Sequence, residues 1–278
     1  MSILCDKVAK CLASVQCKEA VEATEIMLQS CQMLHFAEEN NSKCLMSFFK
    51  AAHQARYSNT TSCFQQFDFL ENDLRKRMYA YSKGKPCFIN YIKNHCSEAS
   101  VDYFSENYQS FVTAIASKPS GNECKTAHNQ LNTIHCKAIG EEAANQIGML
   151  IGIKVEQNDS RVTKAIKMCR DTQTCMRRSC LIPLSLREKL TRTCDLLQMT
   201  QSKFGICLSG IMKDRPDLSK FTCLGDMDFY EKGTKVMCQK FKSKKKCLKE
   251  IMTYVCGEEA VMYIDAYAAR MKKQFKCD

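Results

Sequence analysis

Apolar residues recur along this chain every three or four positions, the spacing that gathers them on one face of a helix. Around Cys44 they are Leu45, Phe48, Phe49 and Ala52, and around Cys207 they are Leu208, Ile211 and Met212. Phe64, Phe67, Leu70, Leu74, Met78 and Tyr81 continue the pattern in the first half. Leu224, Met227, Tyr230, Thr234, Cys238 and Phe241 do so at the matching places of the second. A further stripe runs through Leu186, Leu190, Cys194 and Leu197. Ser185 with Glu188, just after Pro183, reads as a capping box at its start. No stretch alternates apolar and polar residues with period two, and there is no Asn-Gly or Asp-Gly hairpin signal. The pattern predicts an all-α protein.

The cysteines show that the pattern is used twice. The first half carries Cys5, Cys11, Cys17, Cys31, Cys44, Cys63, Cys87, Cys96, Cys124 and Cys136. The second carries Cys169, Cys175, Cys180, Cys194, Cys207, Cys223, Cys238, Cys247, Cys256 and Cys277. Spacings of 6, 14, 13 and 9 residues recur in the same order, and Cys63 to Cys87 spans 24 residues, as does Cys223 to Cys247. Inside that window DFLE at 68–71 stands opposite DFYE at 228–231. Nine cysteines correspond; Cys238 falls opposite Met78, and Cys136 has no counterpart. The chain therefore reads as two tandem disulfide-bonded helical bundle domains of about five short helices each. The first covers residues 1–128, a partly helical connecting segment covers 129–160, and the second covers 161–278. If every cysteine pairs and each repeat closes on itself, each holds five bridges, with Cys136 and Cys238 each completing its own repeat. The individual pairings are not legible in the sequence.

One spacing has a direct physical reading. Nine residues of helix rise about 13 Å, whereas bridged Cα atoms lie roughly 4.4–6.8 Å apart. Cys247 and Cys256 are therefore expected to tie opposite ends of one short helix to different neighbours. Leu248, Ile251, Met252 and Val255 form its apolar face. Gly257, Glu258 and Glu259 then open the next helix, as Ser97 and Glu98 do in the first repeat; acids suit that end.

An even cysteine count this high, spread over the whole chain, predicts disulfides and an oxidising, extracellular setting. The absence of any C-x-x-C pair argues against structural zinc. The opening MSILCDKVAKC has neither the charged start nor the apolar stretch of a signal peptide. The chain is thus read as a secreted mature form, its signal peptide removed and a Met added. Asn40, Asn59 and Asn158 head N-x-S/T triplets and are candidate glycosylation sites. No apolar run approaches the length of a membrane span.

The stretches CLKEIMTYVCGEEAVMYIDAYAARMKKQFKC and CFINYIKNHCSEASVDYFSENYQSF resemble the C-terminal part of domain of unknown function 19, a family of secreted, cysteine-rich nematode domains often found in tandem. The resemblance covers both halves and rests on the cysteine spacing, the C-x8-C-[GS]-E step and the helical run after it. Val261 and Met262 stand where the family is expected to carry a large aromatic, and Cys136 is a second departure. The family implies secretion and a disulfide-bonded helical fold, and it implies no enzymatic activity.

The residues themselves point the same way. No H-E-x-x-H, G-x-S-x-G or phosphate loop is present. His95 adjoins Cys96, but a bridged cysteine offers no thiolate. The acid pairs Glu38/Glu39, Glu141/Glu142 and Glu258/Glu259 read as cap and surface residues, since helix neighbours do not face one another. Tyr103 and Tyr263 correspond between repeats and read as core or hydroxyl-anchoring residues. No catalytic residue, metal or cofactor is expected.

Charge changes the picture. Residues 1–136 hold 14 Lys+Arg against 13 Asp+Glu, and residues 137–278 hold 27 against 17. SKKKCLKE, 243–250, matches a simple basic pattern seen in some heparin-binding segments. Lys240, Lys242, Lys244, Lys245, Lys246 and Lys249 are the candidate anion-binding residues, with Arg177, Arg178, Lys272, Lys273 and Lys276 as extensions. The function expected is a secreted, non-enzymatic interaction protein whose basic second domain meets a sulfated glycan or an acidic protein. Nucleic acid is not expected. The alternative is an extracellular carrier of a small apolar, lipid-like ligand, from the Phe- and Met-rich helix faces.

Overall fold

A computed structural model describes residues 2–15, 17–58, 62–117, 124, 126–150 and 159–277. These residues form fifteen α-helices and two short 3-10 turns, with no strand among them. The chain divides into two compact units. One is Met1–Met149 with Lys167–Glu188, the other Leu150–Ile166 with Lys189–Asp278. The division falls inside the second copy of the sequence pattern.

The first unit contains α1 (Ser2–Ala13), α2 (Lys18–Ala37), α3 (Glu39–Ala55), α4 (Cys63–Gln66), α5 (Leu74–Lys83), α6 (Lys85–His95), α7 (Glu98–Glu106), α8 (Tyr108–Ala116) and α9 (Ala127–Gly148). It also holds the greater part of α10 (Ser160–Arg178). Its core is aromatic. Phe48, on the predicted stripe of α3, has no exposed surface and meets the rings of Phe49, Phe64, Phe69, Tyr81, Phe88 and Tyr91. Gly84 lets α5 run into α6 without a gap. A Cβ there would stand 2.6 Å from the Phe69 ring, so the close approach requires glycine. Arg77 is buried and joins three elements. It donates to the carbonyls of Glu71 (2.7 Å) and Ile115 (3.1 Å) and to Asn132 Oδ1 (3.1 Å). Those acceptors satisfy a cation that burial alone would penalise.

α9 occupies most of the predicted connecting segment, and residues 151–158 lie outside the described residues. It is not amphipathic. Leu131, Ile134, Ala138 and Ile139 are buried, and so are Thr133, His135, Cys136, Gly140, Glu142 and Ala143. Helices α2, α3 and α8 all pack on it, so several faces are covered at once.

The second unit contains most of α11 (Leu184–Thr200), then α12 (Lys203–Asp214), α13 (Thr234–Phe241), α14 (Lys245–Cys256) and α15 (Ile264–Phe275). α13 packs on α15, and α12 on α14. Phe204, Ile211, Phe241, Leu248, Ile251 and Met252 form the centre of its core. Gly257 ends α14 at φ 87°, a left-handed conformation that glycine adopts without strain.

Several local expectations shift. The stripes from Phe64 to Tyr81 and from Leu224 to Phe241 are each broken by a turn. Asp68 Oδ1 accepts from Leu70 N, and Asp228 Oδ1 from Tyr230 N. The shared D-F-[LY]-E motif is thus a side-chain-stabilised turn, and in the first copy Asp73 then caps α5. α11 starts at Leu184, which places Ser185 inside its first turn instead of at the cap. Val255 is exposed, because α14 buries only Leu248, Ile251 and Met252 along that side. Tyr263 is exposed while Tyr103 stacks on His35, so only the first copy uses its tyrosine for packing. Glu142 is buried within α9, where Gln146 Nε2 donates to it, and is no surface acid. Glu258 and Glu259 open a 3-10 turn, Glu258–Ala260, ahead of α15.

The cysteines do not close within each half. In the first, Cys5–Cys31, Cys44–Cys96 and Cys63–Cys87 form; in the second, Cys207–Cys256, Cys223–Cys247 and Cys238–Cys277. Cys169 and Cys194 are disulfide-bonded as well. Two bridges join cysteines counted above with the first half to cysteines of the second, Cys124–Cys180 and Cys136–Cys175. Cys11 and Cys17 are free and exposed. The arrangement of five bridges per repeat is overturned, for a reason visible in the packing. Cys124 corresponds to Cys277, whose partner Cys238 is replaced by Met78, so Cys124 turns to the following hairpin instead. Cys247 and Cys256 do tie the two ends of α14 to different partners.

Candidate functional site

The lysine cluster loses its uniformity once folded. Lys240 follows Val236 by one helical turn and shares its buried side of α13. It has no exposed surface. Its Nζ lies 3.5 Å from Met212 Sδ and 4.5 Å from the centroid of the Phe229 ring. Desolvation holds its pKa below the ordinary lysine value, partly offset by Asp228. Lys240 is therefore a core residue and not a ligand-facing one. Lys244 Nζ donates to the Cys223 carbonyl at 2.9 Å, and Lys245 pairs with Asp265. The hydrogen bond from Lys245, with its charge, holds the Asp265 carboxyl below the usual range. Lys242, Lys246 and Lys249 are exposed, as are Lys273 and Lys276. Lys242 and Lys246 flank the turn between α13 and α14, and Lys249 lies one turn into α14. The bridge at Cys247 fixes this corner. Arg177 and Arg178 belong to the first unit.

Replacing Lys240 by methionine removes a desolvated ammonium and keeps a flexible chain of similar length against Phe229. The Lys240→Met variant is expected to gain about 1–2 kcal/mol of stability, since a buried charge is costly and its cation–π contact offsets only part of that. A lower urea midpoint than the parent would show instead that the ammonium contributes net stability.

The first unit holds polar groups that sequence reasoning did not single out. Asp171, on α10, accepts from Tyr57 Oη at 2.6 Å, with Arg56 Nη1 at 3.5 Å and His53 Nε2 at 3.6 Å. Burial pushes the Asp171 carboxyl up. His53, Tyr57 and the Arg56 charge outweigh that and set it below the ordinary range. The cluster anchors α10 to the end of α3. The only sequence signal for it is Tyr57 following His53 by four residues, a spacing that surface residues share. Beside it, a cleft of about 260 Å³ is lined by Arg77, His128, Asn132, His135 and Arg178, among others. Burial, with the nearby Arg77 and Arg56, drives the His135 pKa well below 6.5. His95 stacks on Tyr91, and its neighbour Cys96 is bridged to Cys44, so that pair holds no thiol.

Among the described residues, no group of three or more His, Cys, Asp or Glu side chains is placed to hold a metal ion. No described helix is long and apolar enough to cross a membrane. Of the candidate glycosylation sites, Asn40 is exposed in the first turn of α3, and Asn59 and Asn158 lie outside the described residues.

The comparisons agree with the cysteine pattern. The profile of a family described as Domain of unknown function (DUF19) matches twice, over residues 1–125 and 124–278. The second match opens at Cys124 and so takes α9, with Cys136, into the copy that follows it. No curated protein and no solved structure matches the chain. With its doubled cysteine spacing and disulfide-bonded all-helical fold, the chain consists of two tandem copies of this domain and belongs to the DUF19 family.

Proposed function

We propose that the protein is an extracellular, non-enzymatic binding protein whose second unit engages an anionic partner, a sulfated glycan or an acidic protein. Disulfide density and the lack of a described membrane-crossing helix support the extracellular setting. The observation that carries the binding reading is the corner formed by Lys242, Lys246 and Lys249, exposed and held by the Cys223–Cys247 bridge. The second unit carries 21 Lys+Arg against 13 Asp+Glu, the first 20 against 17, so the excess sits with that corner. The alternative, a carrier of a small apolar ligand, would need an enclosed apolar cavity.

The full chain is expected to be retained on heparin at physiological salt. Lys242→Gln, Lys246→Gln and Lys249→Gln together should move its elution to clearly lower salt, because exposed cation contacts weaken steeply with ionic strength. Changing Lys240 should not move it. A parent protein that flows through at physiological salt would refute the proposal.

A further inference from the structure

We propose that the α1–α2 hairpin is the receiving half of a two-disulfide joint, and that its occupant is the α9-type helix of a further copy of this domain. The internal repeat supplies the first argument. Cys11 and Cys17 stand opposite Cys175 and Cys180. In the second copy those two positions reach back to the preceding segment through Cys136–Cys175 and Cys124–Cys180. In the first copy they are free and exposed, and the other eighteen cysteines of the chain are bonded. A pair of open thiols is left in an otherwise oxidised framework, at the two places where its twin forms a joint.

The surface around the thiols supplies the second argument. In the observed joint, α10 approaches α9 closely. Thr172 Oγ1 lies 3.3 Å from the Ile139 carbonyl, and the Thr133 and Ser179 hydroxyls bond at 2.9 Å. A Cβ on Gly140 would stand 2.8 Å from Met176 Cε and 3.2 Å from Thr172 Cγ2. Met168 and Thr172 have no exposed surface. The repeat places Leu4 opposite Met168, Val8 opposite Thr172 and Leu12 opposite Met176. These residues follow one another at helical spacing and share a face of α1 with Cys11. Leu4 is 67% exposed, Val8 39% and the adjacent Ile3 71%. The seat that α9 fills in the second copy is present in the first, apolar, with Leu4 and Val8 exposed and Leu12 half-buried. The Cys5–Cys31 bridge already holds its hairpin together.

Each bridge of the joint forms from one thiol on either side. Two protons and two electrons leave per bridge and pass to a small disulfide such as oxidised glutathione, which is released as two thiols. The test uses the full chain, a glutathione redox buffer and a peptide of residues 124–148 as the probe. Products are mapped by digestion and mass spectrometry. The expected product is a one-to-one adduct bridged from Cys11 to the peptide's Cys136 and from Cys17 to its Cys124. It should vanish with Cys11→Ser and Cys17→Ser. With Leu4→Asp and Val8→Asp, which spare both thiols, it should form at least tenfold more slowly. A Cys11–Cys17 bridge, glutathione caps without peptide, or an unchanged rate in the aspartate variant would each overturn the proposal.

Discussion

Phe48→Ala is expected to lower the stability of the first unit by about 3–5 kcal/mol, the range for emptying a fully packed phenylalanine site. The ring sits where α3, α4, α5 and α6 converge, with six aromatic neighbours at centroid distances of 4.7–6.4 Å. Those neighbours are large, planar and mutually packed, so they close poorly over a lost ring, and interior packing leaves little slack for collapse. The edge-to-face geometry of several pairs is lost with it. Phe48→Leu refills much of the volume and should recover more than half of the loss. Urea unfolding followed by near-ultraviolet circular dichroism reads both. A loss below about 1 kcal/mol for the alanine variant would mean that the cluster is not the organising core of the unit.

Removing the Cys207–Cys256 bridge, as Cys207→Ala with Cys256→Ala, is expected to cost the second unit about 4 kcal/mol. The bridge closes 49 residues and ties α12 to the last residue of α14. In the chain-entropy view its worth rises with the length of loop it closes. The Cys223–Cys247 bridge, across 24 residues, should therefore contribute about half a kcal/mol less. Comparing the two double variants by urea midpoint tests both the size and the order. This unit has the smaller core, so its cross-links carry a larger share of its stability. A reversed order would show that native packing around each bridge outweighs the loop it closes.

Much of the architecture is legible in the sequence, and the illegible parts have identifiable causes. Helix faces were readable wherever one side of a helix is buried, as at Phe48 and Phe49 or Leu248 and Ile251. α9 escapes that reading because it is covered on several sides and buries Thr133, His135 and Glu142 among its apolar residues. The cysteine repeat was readable from spacing, yet parity accommodates two crossing bridges as well as none. The choice is made by packing of α10 on α9 at Gly140 and Thr172, residues that no periodicity marks. Met78 opposite Cys238 was the available hint, since it leaves Cys124 without the partner its twin has. In the basic cluster, composition counted Lys240 with its neighbours. Its place four residues after Val236 and beside Phe241 was the signal that it points inward.

The helix that both copies need has a consequence for how such chains can be divided. The family profile changes from one copy to the next at residues 124–125, but the first unit runs through α9 and on to Glu188. What duplicates and what packs together are thus out of phase by one helix and the greater part of the next. A fragment cut at the profile boundary would expose the faces of α2, α3 and α8 that rest on α9. It would also discard the partner of Cys124. Deletion series and tagged expression fragments that keep the first copy should therefore run past the inherited boundary, so that α9 and the residues bridged to it stay with the helices they cover.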